Sequence, residues 1–345
     1  MVPGPLMDLP RTPLAEIDCT DPDAPVADVL AGDRPTVLRG LVRHWPAVQA
    51  GLASPQALSA YLAGFYNGRP VVAFVGAPEM KGRFFYAADM AGFNFEKQSG
   101  PLTGVLDFLA RSSGDPGAKA VYVGATAVDE FLPGFSAEND LPALAGKGSV
   151  PRIWVGNRTT VSTHYDLSPN LACVVAGTRR FILFPPEQVA NLYVGPLDHT
   201  MAGQPASMVS VHEPDFDRYP RFREALGQAG MAELAPGDAI FVPPLWWHHV
   251  DALGGFNILL NHWWSDAPAD AASPFEAMVH AILAIGSLPE AQRDGWRAMF
   301  ENFVFHRSGH PGEHLPEAHR GVVGPSTPEL RGRIRQFLVR ALTRS

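Results

Sequence analysis

Between Pro151 and Asp266 the chain is cut into short apolar runs, each stopped by glycine or proline before a helix of ordinary length could form. Ile153-Trp154-Val155, Leu171 to Val175, Arg180 to Phe184, Ala239 to Val242 and Phe256 to Trp264 are rich in the β-branched and aromatic residues that suit a pleated surface. Ala176-Gly177-Thr178 between two such runs reads as a hairpin link. Pro185-Pro186 stops one strand, Glu187 to Tyr193 can form a short helix, and Pro236-Gly237-Asp238 is a turn feeding the next strand. Short strands at this density favour a closed or double-sheet β-architecture over a parallel sheet.

The flanks differ from this middle part. Residues 1–150 mix helix and strand: a helix over Ser54–Tyr66 with Ser54 as N-cap and Pro55 at its first position, another over Gly104–Arg111, a strand followed by a turn within Pro35–Val42, and strands at Val71–Val75 and Ala120–Val123. Residues 267–345 turn helical, at Pro274–Ile285, Pro289–Phe305 and in a third helix capped by Thr327. In that last helix Leu330, Ile334, Phe337, Leu338 and Ala341 share one side, which serves either dimerisation or packing on the β-part. The expected fold class is therefore mainly β with flanking helices, in three parts: 1–150, 151–266 and 267–345.

Charge and cysteine usage exclude several functions. A net charge of −8 over 345 residues argues against a nucleic-acid or anionic-membrane partner. No apolar run reaches the ~20 residues that span a bilayer. Met1 to Leu6 lacks the basic and apolar regions of a secretory leader. The two cysteines, Cys19 and Cys173, cannot build a disulfide framework. A cytoplasmic location is the expectation.

The chemistry centres on His164-Tyr165-Asp166 and on His248 in Trp246-Trp247-His248-His249-Val250. Residues i and i+2 of a strand share a face, so His164 and Asp166 can enter a barrel together while Tyr165 faces away. Two imidazoles and one carboxylate are the ingredients of a facial triad, which grips a divalent metal on one side and leaves the other side open. The bland alternative is a surface triplet plus a core histidine among aromatics. His306, His310, His314 and His319 recur in a Gly/Pro-rich stretch that reads as a solvated loop. Trp246, Trp247, Trp263 and Trp264 read as core and site wall rather than as a base-stacking platform. There is no phosphate-binding glycine loop, nucleophile elbow or CxxC pair.

From about Arg34 to Asp266 the chain resembles the Jumonji-C/cupin-like Fe(II)/2-oxoglutarate-dependent oxygenases, most of all the factor-inhibiting-HIF-type asparaginyl hydroxylases. The resemblance rests on His164-Tyr165-Asp166, Asn170, Gly177 to Pro186, Pro236-Gly237-Asp238, Trp246-Trp247-His248-His249 and Asn261-His262-Trp263. It implies a double-stranded β-helix (jelly-roll), an Fe(II) centre, 2-oxoglutarate and O2 as co-substrates, and a homodimer formed through the C-terminal helices. It assigns His164, Asp166 and His248 to the metal, choosing His248 over His249. Arg179 stands where the family carries a lysine for the distal carboxylate of 2-oxoglutarate, and Tyr122 matches a tyrosine bonding the same group. Asn170 and Asn261 match positions flanking the C1 carboxylate and the metal.

Two positions depart from the family pattern. Val161 replaces a hydroxyl residue three before the first histidine, and Gly124 replaces a glutamine that helps hold a protein substrate. The implied reaction is hydroxylation of a protein or peptide side chain, with succinate and CO2 as co-products. The alternatives are a small-molecule hydroxylase of the same mechanism and a non-catalytic metal-binding module.

Overall fold

Alternation sets the architecture. In Arg179–Phe184 the residues Arg179, Phe181 and Leu183 point one way, and Arg180, Ile182 and Phe184 the other. The same parity governs Asn257–Trp263, where Leu259 and Asn261 share one face while Ile258 and Leu260 join a separate core. The computed structural model describes residues 12–21 and 23–343, so Met1 to Leu6 lie outside the described residues.

Among the described residues the strands form two sheets. The smaller runs in the order Thr12–Pro13, Gly230–Leu234, Arg179–Phe184, Trp247–Ala252, Thr160–His164, Arg83–Phe84. The larger is built around Ala239–Val242, Asn170–Ala176, Asn257–Trp263, Val150–Gly156 and Ala120–Ala127, which pair antiparallel in that order. Their inner faces meet in one apolar layer. Val37, Ala172, Val174, Ile240, Val242 and Leu259 of the larger sheet pack with Phe181, Leu183, Ala232, Leu234 and Val250 of the smaller. This is a jelly-roll-like domain, mainly β with flanking helices.

Helices cover the outer face of the larger sheet: Pro46–Ala53, Pro55–Phe65 and Leu102–Ser112 bury Val48, Leu58, Leu62, Leu106 and Leu109 against it. Ser54 caps the second of these, its hydroxyl accepting from Ala57 N at 3.0 Å. The smaller sheet is covered by the segment after Pro186, through Leu192, Val209, Val211 and Phe222. The Pro236-Gly237-Asp238 turn is pinned to the N-terminal part. Asp238 accepts from Gly40 N at 2.9 Å and from Arg39 at 2.8 Å. Gly237 has φ +98°, and a Cβ there would lie 3.0 Å from Arg43 Cα, so only glycine fits.

The chain divides into two compact units, the second beginning at Asp266. That second unit holds helices Pro274–Ile285, Glu290–Phe303 and Pro328–Leu342. The Thr327 hydroxyl caps the last helix, and Arg331 pairs with Asp270 at 2.6 Å.

Candidate metal centre

Two turns carry the site. His164 ends the strand Thr160–His164, and His248 lies directly opposite it in register. Between Val161 and His164 the ladder shifts by one residue, a bulge that leaves both side chains facing the interior although they stand three apart. The second turn, Pro243 to Trp246, reverses the chain at Leu245, whose φ of +67° is rare for a branched residue. Leu245 N donates to Asp166 O at 2.9 Å, so the backbone links the turn before the His248 strand to the segment that bears Asp166.

His164, Asp166 and His248 converge, with one candidate ligand atom from each within 4.8 Å of the others. The two rings stand 4.3 Å apart, and His248 Nε2 lies 3.7 Å from Asp166 Oδ2. Each histidine is oriented by its own strand. His164 Nδ1 lies 2.9 Å from Ser162 O and His248 Nδ1 3.0 Å from Trp246 O. A carbonyl only accepts, so Nδ1 holds the proton and Nε2 offers its lone pair to the centre. Burial keeps His164 well below the usual imidazole range, a tendency that His248 reinforces and Asp166 opposes.

The carboxylate is held from behind. Asp166 Oδ2 accepts from Asn170 Nδ2 at 3.0 Å and from Trp263 Nε1 at 3.1 Å, and Asn170 Oδ1 accepts in turn from Asn261 at 2.7 Å. Asn170 and Asn261 thus stand in one chain behind the metal-facing carboxylate. Trp263 reads as site wall in the sequence and lies in the Asn261-His262-Trp263 motif, but its role as the second donor to Asp166 was missed; its inward parity with Asn261 was the available signal.

Arg179 also faces the interior, while Arg180 faces out and pairs with Glu233 at 2.6 Å. Arg179 is buried to 2% exposure, and its Nε and one terminal nitrogen have no hydrogen-bond partner among the described residues. Burial pulls its pKa down to about 10, with Tyr122 acting in the opposite sense. Trp154 Nε1 is a further buried donor without a partner among the described residues. Native interiors rarely leave such atoms unpaired, and a cluster of them points to an absent polar ligand. A dicarboxylate spanning from the triad to Arg179 matches that need. Tyr122 stacks on Trp154 with ring centroids 5.6 Å apart.

The two departures have structural counterparts. Val161 packs in the interior, whereas Thr160 faces out and donates to Asp251 at 2.9 Å, and Ser162 Oγ is buried without a partner. At Gly124 a Cβ would meet Trp154 at 2.9 Å and Tyr122 at 3.1 Å, so these two rings occupy the room a side chain there would need. His306, His310, His314 and His319 lie on exposed loop or 3₁₀ segments.

Sequence reasoning missed a second constellation. His249 and Asp251, on the outward face of the His248 strand, meet His212 from the covering segment. His249 Nε2 lies 3.3 Å from Asp251 Oδ1, and His212 Nε2 lies 2.9 Å from the same oxygen. Burial works to raise the Asp251 carboxyl, but His249 and His212 outweigh it and hold it far below the usual carboxylate range. The i, i+2 parity of His249 and Asp251 was the available signal; His212 had none.

A jelly-roll-like interior with two histidines, a carboxylate and an unpaired buried guanidinium defines a cupin-type metal site. The chain belongs to the cupin-like domain family, whose profile matches residues 22–270. It is 29% identical over 253 residues to Jumonji C domain-containing protein 5 of Drosophila melanogaster, covering 67% of this chain and 54% of that one. It is 37% identical over 103 residues to lysine-specific demethylase JMJ31 of Arabidopsis thaliana, covering 30% of this chain and 18% of that one. To tRNA wybutosine-synthesizing protein 5 of Gallus gallus it is 29% identical over 147 residues, covering 38% and 43% respectively. The chain thus spans about half, or less, of the length of these curated relatives. JmjC-domain proteins are typically Fe(II)/2-oxoglutarate oxygenases, and the His-Asp-His arrangement fits that use.

Proposed function

We propose that this protein is an Fe(II)- and 2-oxoglutarate-dependent dioxygenase that hydroxylates a protein or peptide side chain. The observation that supports it best is Arg179: a wholly buried guanidinium with unpaired nitrogens, in the same interior as the triad. His164, Asp166 and His248 hold the metal. Their backbone and side-chain partners keep both Nε2 atoms and the carboxylate aimed at one point without reorganisation. Bound Fe(II) and 2-oxoglutarate supply the chemistry: with O2, decarboxylation to succinate and CO2 is coupled to insertion of one oxygen atom into a substrate C–H bond.

Arg179, with its unpaired nitrogens, would hold the distal carboxylate, and Tyr122 would line the same end. Asn170 and Asn261 steady the carboxylate side of the metal and face the C1 end of the co-substrate. The apolar layer of Phe181, Leu183, Val250 and Leu259 excludes water between these polar ends. A homodimer is part of the proposal, supported by Ile282, Leu283, Phe303, Phe337 and Leu342, all exposed on the second unit's helices. A cytoplasmic location is supported by Cys19 and Cys173, neither in a disulfide.

The test is succinate release by the iron-loaded protein against a peptide library and a small-molecule library, with mass spectrometry of the products. Stimulated turnover with a single added oxygen on a peptide is expected. Stimulation by small molecules alone would overturn the peptide assignment.

A further inference from the structure

On the outer face of the strand Trp247–Ala252, behind the triad, three donor atoms from His212, His249 and Asp251 close on one point. The separations are 2.9 Å from His212 Nε2 to Asp251 Oδ1, 3.3 Å from His249 Nε2 to the same oxygen, and 3.4 Å between the two Nε2 atoms. Ligands at ~2.0–2.1 Å from a tetrahedral zinc stand about 3.3 Å apart, so the three atoms already mark out one face of such a tetrahedron.

The hydrogen bonds point the same way. Asp251 Oδ1 is the common target of His212, His249 and the Thr160 hydroxyl, while Asp251 Oδ2 is buried with no partner among the described residues. Crowding three groups on one oxygen and leaving its twin bare wastes acceptor capacity. A cation held by the two Nε2 atoms and Oδ1 replaces two of the three groups crowded on that oxygen, with Thr160 left as the outer partner that orients the carboxylate. Thr163 Oγ1 lies 3.5 Å from His249 Nδ1 and is placed to orient that ring in the same manner.

His249 and Asp251 are each less than a tenth exposed, whereas the His212 side chain is 20% exposed and opens a route for entry. Arg83 is near enough to act on His249 electrostatically, but its guanidinium stacks over Phe85 and forms no ion pair with Asp251 among the described residues.

We propose that His212, His249 and Asp251 form a second, structural site for a zinc-class divalent cation, separate from the catalytic centre. It pins the segment preceding His212 onto the outside of the strand that carries His248. That segment already pairs with the other ligand strand: Ser207 N donates to Thr163 O at 2.7 Å, and Ala206 bridges His164. The cation would therefore brace both histidine-bearing strands from outside the barrel, holding the triad's register without touching substrate.

The experiment is anaerobic titration of untagged apo protein with Co2+, read by visible absorption and by metal content after gel filtration. The wild type is expected to bind two equivalents, one giving the intense band of tetrahedral cobalt. A His164→Ala/Asp166→Ala double variant, which removes the catalytic centre, should keep one equivalent and that band. His212→Ala should lose it, with at least ~100-fold weaker binding of that equivalent, while retaining the other. The proposal is overturned if the double variant binds no cobalt, or if His212→Ala keeps both equivalents and the intense band. Should His212→Ala fail to fold, X-ray absorption of the zinc-loaded double variant decides. Two imidazoles and one carboxylate around zinc support the site, and any shell with fewer than two imidazoles overturns it.

Discussion

Replacing Arg179 by methionine should separate function from stability with opposite signs. In the apo protein Arg179 is a fully buried charge with two nitrogens unpaired. Burial lowers its pKa from the ordinary guanidinium range to about 10, which corresponds to a penalty on the order of 3 kcal/mol on the charged form. Methionine fills a similar volume without that penalty, and replacing buried charges by apolar groups commonly gains ~1–4 kcal/mol. At roughly 2–4 °C per kcal/mol for a domain of this size, the apo melting temperature should rise by several degrees. Co-substrate binding moves the other way. Losing two charge-assisted hydrogen bonds, each worth about 1.5–3 kcal/mol, should weaken 2-oxoglutarate by two to four orders of magnitude. Calorimetric titration of the metal-loaded protein and thermal denaturation of the apo form measure the two quantities. An apo protein that melts lower, with 2-oxoglutarate affinity unchanged, would refute the reasoning.

Three other outcomes are expected. Asp166→Ala should abolish turnover and weaken iron binding by more than the ~10–100-fold typical of losing an outer partner, whereas His249→Ala should leave catalytic-site iron within ~10-fold; equal losses would show that the wrong histidine was chosen. His262 is buried beside Trp45, both its ring nitrogens lack partners among the described residues, and burial lowers its pKa to about 4. Between that value and the unfolded value near 6.5 the unfolded chain binds the extra proton, so stability is full above the unfolded pKa and is lost as pH falls through this window; His262→Phe should flatten the pH dependence of unfolding by up to ~1.4 kcal/mol per pH unit, and an unaltered slope would count against the assignment. Leu245→Gly should stabilise the protein by about 0.5–1 kcal/mol in a denaturant titration, because glycine relieves the φ of +67° at an exposed position; a loss of stability would mean that the leucine side chain contributes more than the strain.

The parts of the fold that were legible in the sequence are those where burial is one-sided or total. The run Leu171 to Val175 and the hairpin link at Gly177 could be read because every residue of Asn170–Ala176 is buried. The strands Phe95–Gly100 and Gly230–Leu234 were not read, the first because Phe-Glu-Lys-Gln-Ser-Gly is a largely exposed edge strand without apolar alternation. Thr160–His164 sat inside a polar stretch whose bulge breaks the period of two, so Val161 and His164 share a face that parity alone forbids. That Arg179 and Arg180 face opposite ways follows from the strand period, whereas the choice of Arg179 as the inward one came from the family resemblance. His212 illustrates the opposite case: it reaches its partners across a loop, and no local spacing encodes that meeting.

The central claim is that one interior holds both Fe(II) and 2-oxoglutarate, gripped by His164, Asp166, His248 and Arg179. Mixing apo protein with Fe(II) and 2-oxoglutarate under anaerobic conditions tests it most directly, through the visible metal-to-ligand charge-transfer band of a chelated 2-oxo acid. The account predicts a saturable band at one equivalent of each, absent in Asp166→Ala. Iron binding without the band, or a band that survives Asp166→Ala, would contradict it.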